Sequence, residues 1–157
     1  MVTTVILLML STGMLQAADE IPGNQALVAA VSLGEVQRVG DLLAQGGDVN
    51  GTNRAGRSLL HLAAFNGNSR TVRILLAAGA DPNVTGPGGN TPLMDAAAYG
   101  HLEVVRLLVQ RGAELNKADT SGATALALAK RGGHDAVEGF LKERGASETA
   151  SDSQSNP

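Results

Sequence analysis

Residues 89–108 decide the fold of this chain, and they read GNTPLMDAAAYGHLEVVRLL. Thr91 is suited to cap the N-terminus of a helix, and Pro92 suits the first helical turn, where a missing N–H costs nothing. Gly100 is suited to a helix end with a positive φ, a conformation that glycine adopts without steric penalty. Beyond it an apolar side chain recurs at helical spacing, at Leu102, Val105 and Leu108. The stretch therefore predicts two short helices joined by a tight turn.

The same pattern returns every 33 residues along the chain. Glycine, leucine and alanine keep this interval in the series Gly34, Gly67, Gly100 and Gly133, Leu27, Leu60, Leu93 and Leu126, and Ala30, Ala63, Ala96 and Ala129. A fixed period of this length is typical of proteins built from stacked supersecondary units. We therefore predict an all-α solenoid of four stacked helix-turn-helix units with connecting hairpin loops. The units span about residues 24–50, 51–83, 84–116 and 117–146.

The repeated unit resembles the ankyrin repeat. Residues 58–64 read SLLHLAA and residues 100–105 read GHLEVV, both close to the 33-residue pattern of that family with its T-P-L-H-x-A signature. The resemblance covers about residues 25–146, with Met94 in place of the usual histidine and Ala125 in place of the usual proline. It implies an ankyrin-repeat solenoid that binds another protein and is not an enzyme.

The two outermost units carry polar residues at positions where the third unit is apolar, although Ser69 fills one of these positions in the second unit. Arg38 and Asp41 do so in the first unit, and Asp135 and Glu138 do so in the last. Each pair is spaced i, i+3 and so lies on one helix face. Terminal repeats need polar outer walls, so we predict a complete stack of four units. Residues 147–157 read SETASDSQSNP, have nothing to bury and are predicted to be a disordered tail.

Residues 1–17 are predicted to be a secretory signal peptide. Residues 5–10 read VILLML, and no charged residue precedes Asp19. This run is too short to cross hydrocarbon about 30 Å thick, which takes about 20 apolar residues, and the small residue at 17 allows cleavage before Ala18. No Lys or Arg precedes the run, and a buried N-terminal helix is the alternative. Cleavage leaves a repeat domain over 18–146, expected in the periplasm or outside the cell without a stable membrane anchor.

Composition and histidine placement argue against catalysis, metal binding and nucleic-acid binding. The formal charge of −3 gives no electrostatic reason to expect nucleic acid, and the absence of Cys excludes disulfides and thiolate metal sites. His61, His101 and His134 lie at template positions, where the resemblance implies hydrogen bonds that hold turns together. A metal site needs ligands that converge on one point. Ser58 lies three residues before His61 without an evident orienting acid, so we predict no catalytic site and no cofactor.

Asp95 is unusual because it takes the place of Leu62 and Leu128, at a position expected to face the core. A buried carboxylate must be hydrogen-bonded. The expected partners are backbone amides or the hydroxyl of a neighbouring unit. The alternative is a charge that reaches the binding surface.

The partner is expected on a ridge formed by the hairpin tips and the exposed edges of the first helix of each unit, a surface that commonly carries recognition in ankyrin proteins. Its candidate residues are Arg54, Arg57, Phe65, Asn66, Asn90, Tyr99, Lys130 and Arg131. Two of the three aromatic residues of the chain lie here, with four cations and no acid. Tyr and Arg are typical binding anchors. The set suggests a partner with an acidic surface and an apolar centre; alternatively, Phe65 packs against its neighbours and the charges only solubilise.

The chain is also similar to the small periplasmic ankyrin proteins of Gram-negative bacteria. This similarity implies an accessory role toward a periplasmic protein such as a catalase-type enzyme. The alternatives are an immunity protein that neutralises a secreted toxin, a scaffold with several partners, and an enzyme. We expect a monomer.

Overall fold

The computed structural model describes residues 23–149, which contain eight α-helices. They are α1 (Gly23–Leu33), α2 (Val36–Ala44), α3 (Leu59–Phe65), α4 (Ser69–Ala77), α5 (Pro92–Ala98), α6 (Leu102–Gln110), α7 (Ala125–Arg131) and α8 (Asp135–Glu143). Each odd-numbered helix contacts the helix that follows it and the odd-numbered helix of the next unit, and the even-numbered helices contact one another in the same order. Two layers result, with α1, α3, α5 and α7 as the inner helices. The predicted all-α solenoid of four stacked units is confirmed.

Hairpin loops connect the units, each running from an outer helix to the start of the next inner helix. Antiparallel bridges close two of these loops, between Thr52 and Ser58 and between Ala118 and Thr124. The loop of the third unit instead carries a short 3₁₀ turn over Pro87–Gly89. The tips of these loops form one half of the ridge.

In the second and third units, the turn between the two helices is built from a glycine and the histidine of the next unit. Gly67 and Gly100 have φ of 68° and 74°, and a Cβ on either would lie 2.5 Å from Nδ1 of His101 or His134. Nε2 of His101 donates to the carbonyl oxygen of Phe65 at 3.0 Å, and Nε2 of His134 donates to that of Ala98 at 2.9 Å. The hydrogen bonds that the resemblance implied for these histidines are therefore present, and they join successive units.

The inner helices begin with a hydroxyl cap in three of the four units. Ser58, Thr91 and Thr124 each accept a hydrogen bond from the backbone N–H three residues on, which satisfies one of the free donors at a helix start. Met94 fills the place of the usual histidine, and its sulfur accepts from the N–H of Thr91 at 3.4 Å. Met94 therefore keeps the helix cap, but its side chain makes no hydrogen bond to the next unit of the kind that His61 makes to Asn90.

The core is aliphatic, as the shortage of aromatic residues requires. The recurring leucines at the first-helix position are at most 2% exposed, and Leu75 and Leu108 of the outer layer are fully buried. At the two ends of the stack, Arg38, Asp41 and Asp135 are exposed. These polar residues lie on the outer faces of the first and last described units, as expected for terminal repeats.

The first residues of the predicted tail contact the last unit. The backbone N–H of Ser147 donates to Oδ1 of Asn116 at 2.7 Å, and its carbonyl oxygen accepts from the hydroxyl of Thr124 at 2.7 Å. Ser147 is therefore held against the last two units, and it gives the buried Thr124 hydroxyl its hydrogen-bond acceptor. The rest of the tail and the predicted signal peptide lie outside the described residues. No helix within 23–149 is long and apolar enough to span a membrane.

Candidate protein-binding surface

The 33-residue register shows which side chains share the exposed edge of the inner helices. One row along that edge holds Ser32, Phe65, Ala98 and Arg131, and the adjacent row holds Leu33, Asn66, Tyr99 and Gly132. Asn66 Nδ2 donates to the carbonyl oxygen of Ser32 at 3.4 Å, which ties the edges of α1 and α3 together. The ridge is therefore one continuous surface across the first three units.

Two aromatic rings lie side by side at the centre of the ridge. The ring centroids of Phe65 and Tyr99 are 4.5 Å apart with an interplanar angle of 65°, an edge-to-face arrangement that aromatic pairs prefer. Phe65 is half-buried, whereas Tyr99 is 53% exposed. The ring of Tyr99 also stacks on His101, which is fixed by its bond to Phe65. Two of the three aromatic residues of the chain thus form a partly exposed pair on the ridge.

Arg57 completes this cluster and is held by Asp95. Its guanidinium lies 5.1 Å from the ring centroid of Phe65, and its Nη2 donates to both carboxylate oxygens of Asp95 at 3.1 and 3.2 Å. Asn90 Nδ2 donates to Oδ1 of the same carboxylate at 3.0 Å. The side chains of Arg57 and Asp95 are 30% and 10% exposed. The predicted partners of Asp95 were therefore wrong: its carboxylate pairs with a guanidinium that lies 38 residues away in the sequence.

Burial and ion pairing have opposite effects on the pKa of Asp95. Burial raises the pKa of Asp95 above its usual range, and the charge of Arg57 and the hydrogen bond from Asn90 oppose that rise. The carboxylate accepts three hydrogen bonds, two from the guanidinium of Arg57 and one from the side-chain amide of Asn90. These donors favour the ionised form of Asp95, whereas burial favours the neutral acid.

His61 borders the same cluster and is fully buried. Its Nε2 donates to the carbonyl oxygen of Asn90 at 3.0 Å, and its Nδ1 lies 2.9 Å from the hydroxyl of Ser58. Burial lowers the pKa of His61, although the Asn90 carbonyl opposes this shift. The position where a catalytic triad would have its orienting acid is thus taken by a backbone carbonyl, and the Ser58–His61 pair serves the helix start.

Arg54 stands at the tip of the hairpin before α3. Oδ1 of Asn53 accepts from the backbone N–H groups of Ala55 and Arg57, both at 3.0 Å, which makes this tip rigid. Arg54 is exposed, and no acid within residues 23–149 pairs with it. Beside it lies a groove of about 680 Å³, lined by Asn24, Gln25, Val28, Ala29, Thr52, Asn53, Arg54 and Ala55.

The other two predicted cations lie in different surroundings. Lys130 corresponds in register to Val31, Ala64 and Ala97, which are fully buried. It therefore faces the C-terminal end of the four described units, and its Nζ donates to Oε1 of Glu148 at 2.7 Å. Arg131 is exposed and holds the register position of Phe65. The side-chain hydrogen bond from Ser121 lowers the pKa of Asp119, and the charge of Arg131 lowers it further.

The predicted excess of positive charge is consequently smaller than the sequence suggested. Asp95 pairs with Arg57, Glu148 pairs with Lys130, and Asp119 lies in the electrostatic range of Arg131. Asp119 and Glu148 were missed because neither belongs to a position that the repeat pattern assigns to the ridge, whereas Asp95 was singled out without its pairing to Arg57. The structure brings Arg57, Phe65, Asn90 and Tyr99 together with Asp95, and leaves Arg54 exposed at one side.

Leu33 is a ridge residue that the sequence interpretation missed. It is 72% exposed and occupies the register position of Asn66 and Tyr99. The repeat interval alone would have found it, since 33 residues separate it from Asn66. With Phe65 and Tyr99 it extends the apolar part of the ridge toward the N-terminal unit.

The surface carries no arrangement typical of metal chemistry. Within the described residues, no group of three or more His, Asp or Glu side chains could hold a metal ion.

Comparison with known families identifies the repeat. The family model for ankyrin repeats (3 copies) matches residues 3–86 and 79–152. No curated protein matches the sequence. Ankyrin repeats mediate binding between proteins. Within residues 23–149, the exposed large hydrophobic residues are Leu33 and Tyr99.

Proposed function

This chain belongs to the ankyrin repeat family, and from that premise we propose that it is an exported protein-binding module whose partner docks on the ridge. The observation that supports the ridge is the ordered Phe65–Tyr99 pair, whose tyrosine is 53% exposed. Tyr and Arg anchors that are already held in place lose little conformational freedom on binding. Such residues account for most of the affinity in many interfaces.

Export and the accessory role rest on the sequence. The uncharged apolar start supports cleavage before Ala18 and transfer to the periplasm. The similarity to small periplasmic ankyrin proteins supports an accessory role toward an envelope protein, of which a catalase-type enzyme is one instance. Neutralisation of a secreted toxin is the alternative, and the identity of the captured partner decides between them.

The test is capture of a partner with the mature chain, residues 18–157, followed by binding kinetics with the identified protein. We expect Tyr99→Ala to weaken binding by about thirtyfold or more through faster dissociation, as removal of an anchor usually costs about 2 kcal/mol. Its melting temperature should stay close to that of the wild type, because Tyr99 is exposed. Arg54→Ala should instead slow association at low salt.

Arg70→Ala is the matched control for these variants. Arg70 is exposed on α4, and no ion pair involves it within residues 23–149. Arg106 suits this purpose less well, since its guanidinium lies 4.9 Å from the ring centroid of Phe140. Full affinity of Tyr99→Ala together with a loss in Arg70→Ala would place the partner on the outer helices and refute the ridge.

A further inference from the structure

The most unusual feature of the ridge is an acid at a leucine position. Asp95 replaces the residue that is Leu62 in the second unit and Leu128 in the fourth, and its side chain is only 10% exposed. A buried ion pair is a weak source of stability, because desolvation of both charges offsets their attraction. Replacement of such pairs by packed apolar residues is often neutral or stabilising. Stability therefore does not explain why this unit carries an acid.

The contacts of Asp95 point outward to the ridge. Its carboxylate pairs with Arg57, whose guanidinium lies against the ring of Phe65, and Phe65 in turn packs on Tyr99. Asn90 donates to the same carboxylate from the hairpin of the third unit. The acid thus joins two neighbouring units at the point where the aromatic pair is exposed.

The charges along the ridge differ between its centre and its N-terminal edge. At the centre, the charge of Arg57 is matched by Asp95 at 3.1 Å. At the edge, Arg54 is exposed beside the neutral Asn53, and no acid pairs with it in the described part of the chain. Phe65 and Tyr99 supply the apolar surface at the centre, and Leu33 extends it toward the first unit.

We propose that Asp95 is a specificity-determining residue of the ridge: it neutralises Arg57 and holds the guanidinium against Phe65, so that the centre accepts an uncharged apolar group of the partner. An acidic group of the same partner is then directed away from the centre, to a cation such as Arg54 that has no ion pair within residues 23–149. This inference rests on the proposed binding function of the ridge. It assigns Asp95 a positioning role, since the residue acts through Arg57 and Phe65 and is itself nearly buried.

The test compares the wild type with Asp95→Leu, using hexaglutamate peptide as an acidic probe. Leu at position 95 repeats the side chain of the second and fourth units, so the variant should melt at or above the wild-type temperature. Release of Arg57 should raise the affinity for hexaglutamate by about two- to fivefold at low salt, the usual scale of one exposed ion pair. In NMR spectra, the nuclear Overhauser contacts between the Arg57 side chain and the Phe65 ring should disappear.

A second substitution shows whether Arg57 carries the effect. Arg57→Ala in the Asp95→Leu background should abolish the gain in hexaglutamate affinity, whereas Arg70→Ala in that background should leave it intact. Asp95→Asn, which keeps the shape and removes the charge, supplies the same comparison if Asp95→Leu does not fold.

Unchanged hexaglutamate affinity in both Asp95 variants would overturn the proposal. So would a gain that survives Arg57→Ala, or contacts between Arg57 and Phe65 that persist without the acid. None of these measurements uses the native partner. Failure to capture a partner on the ridge would therefore count against the proposed function alone.

Discussion

The second and third repeat units share one backbone, but their inner helices are joined to their neighbours by different chemistry. In the second unit, His61 donates from Nε2 to the carbonyl oxygen of Asn90 in the third unit. In the third unit, Met94 occupies the same position, and its sulfur reaches only the N–H of Thr91. Asp95 of the third unit then reaches back to Arg57 of the second. Polar links between units therefore gather at the boundary where the aromatic pair is exposed.

This difference shows how a repeat protein builds one specialised place without a change of fold. The leucines and alanines that pack the units recur in both and are fully or almost fully buried. Side chains at the start of the inner helix are free to vary, because the hydroxyl cap is enough to begin the helix. The boundary between the second and third units can thus be charged while the stack remains intact.

The largest expected effect on the free energy of unfolding concerns the buried leucines that the two units share. Leu75 in the second unit and Leu108 in the third are both fully buried. Replacement of either by Ala should lower the free energy of unfolding by about 2–5 kcal/mol, the range for buried leucines, as measured by urea denaturation. Gln110→Ala, at an exposed position of α6, should change it by less than about 0.5 kcal/mol. A similar cost for Leu108→Ala and Gln110→Ala would show that the repeat register is misassigned.

A smaller effect should separate the two units at the histidine position. His61→Ala should cost about 1–3 kcal/mol, because the carbonyl oxygen of Asn90 and the hydroxyl of Ser58 lose a buried partner. Met94→Leu at the equivalent position should cost less than about 1.5 kcal/mol, since it keeps volume and breaks no link between units. Equal costs for the two variants would mean that the polar link contributes nothing at this boundary.

The stability difference between the wild type and His61→Ala should also depend on pH. Burial lowers the pKa of His61 below its usual 6.5, so between these two pKa values the unfolded chain binds more protons than the folded one. Folding stability from this group is therefore present above about pH 6.5 and falls as the pH drops through that value. We expect the difference in stability between wild type and His61→Ala to be smaller at about pH 5.5 than at about pH 7.5. His101 and His134 are present in both proteins, so their contributions cancel.

The smallest expected effect extends the comparison to the fourth unit. Ala125 begins α7 at the position that Pro92 holds in α5, and Thr124 before it is extended, with φ −95° and ψ 167°. Proline fits the first helical position and needs an extended residue before it. Ala125→Pro should therefore stabilise the domain by about 0.4–1 kcal/mol through the unfolded state, seen as a higher melting temperature. A lower one would show that the fourth unit does not follow the backbone of the third.

The sequence by itself determined the repeat interval, the helices, their caps and the aliphatic core. These features follow from spacing within one unit, as the Thr91–Pro92 start and the Gly100 turn illustrate, and a period of 33 residues carries them to every unit. Register alone would also have placed Leu33 beside Asn66 and Tyr99.

Only the tertiary structure decided how charges are paired on the ridge and where Lys130 faces. Arg57 and Asp95 lie 38 residues apart, and their pairing depends on how two units stack. Lys130 and Glu148 meet because the described chain beyond α8 turns back along the last inner helix. An ion pair depends on the distance between two atoms, and a one-dimensional pattern specifies such distances within a unit far better than between units.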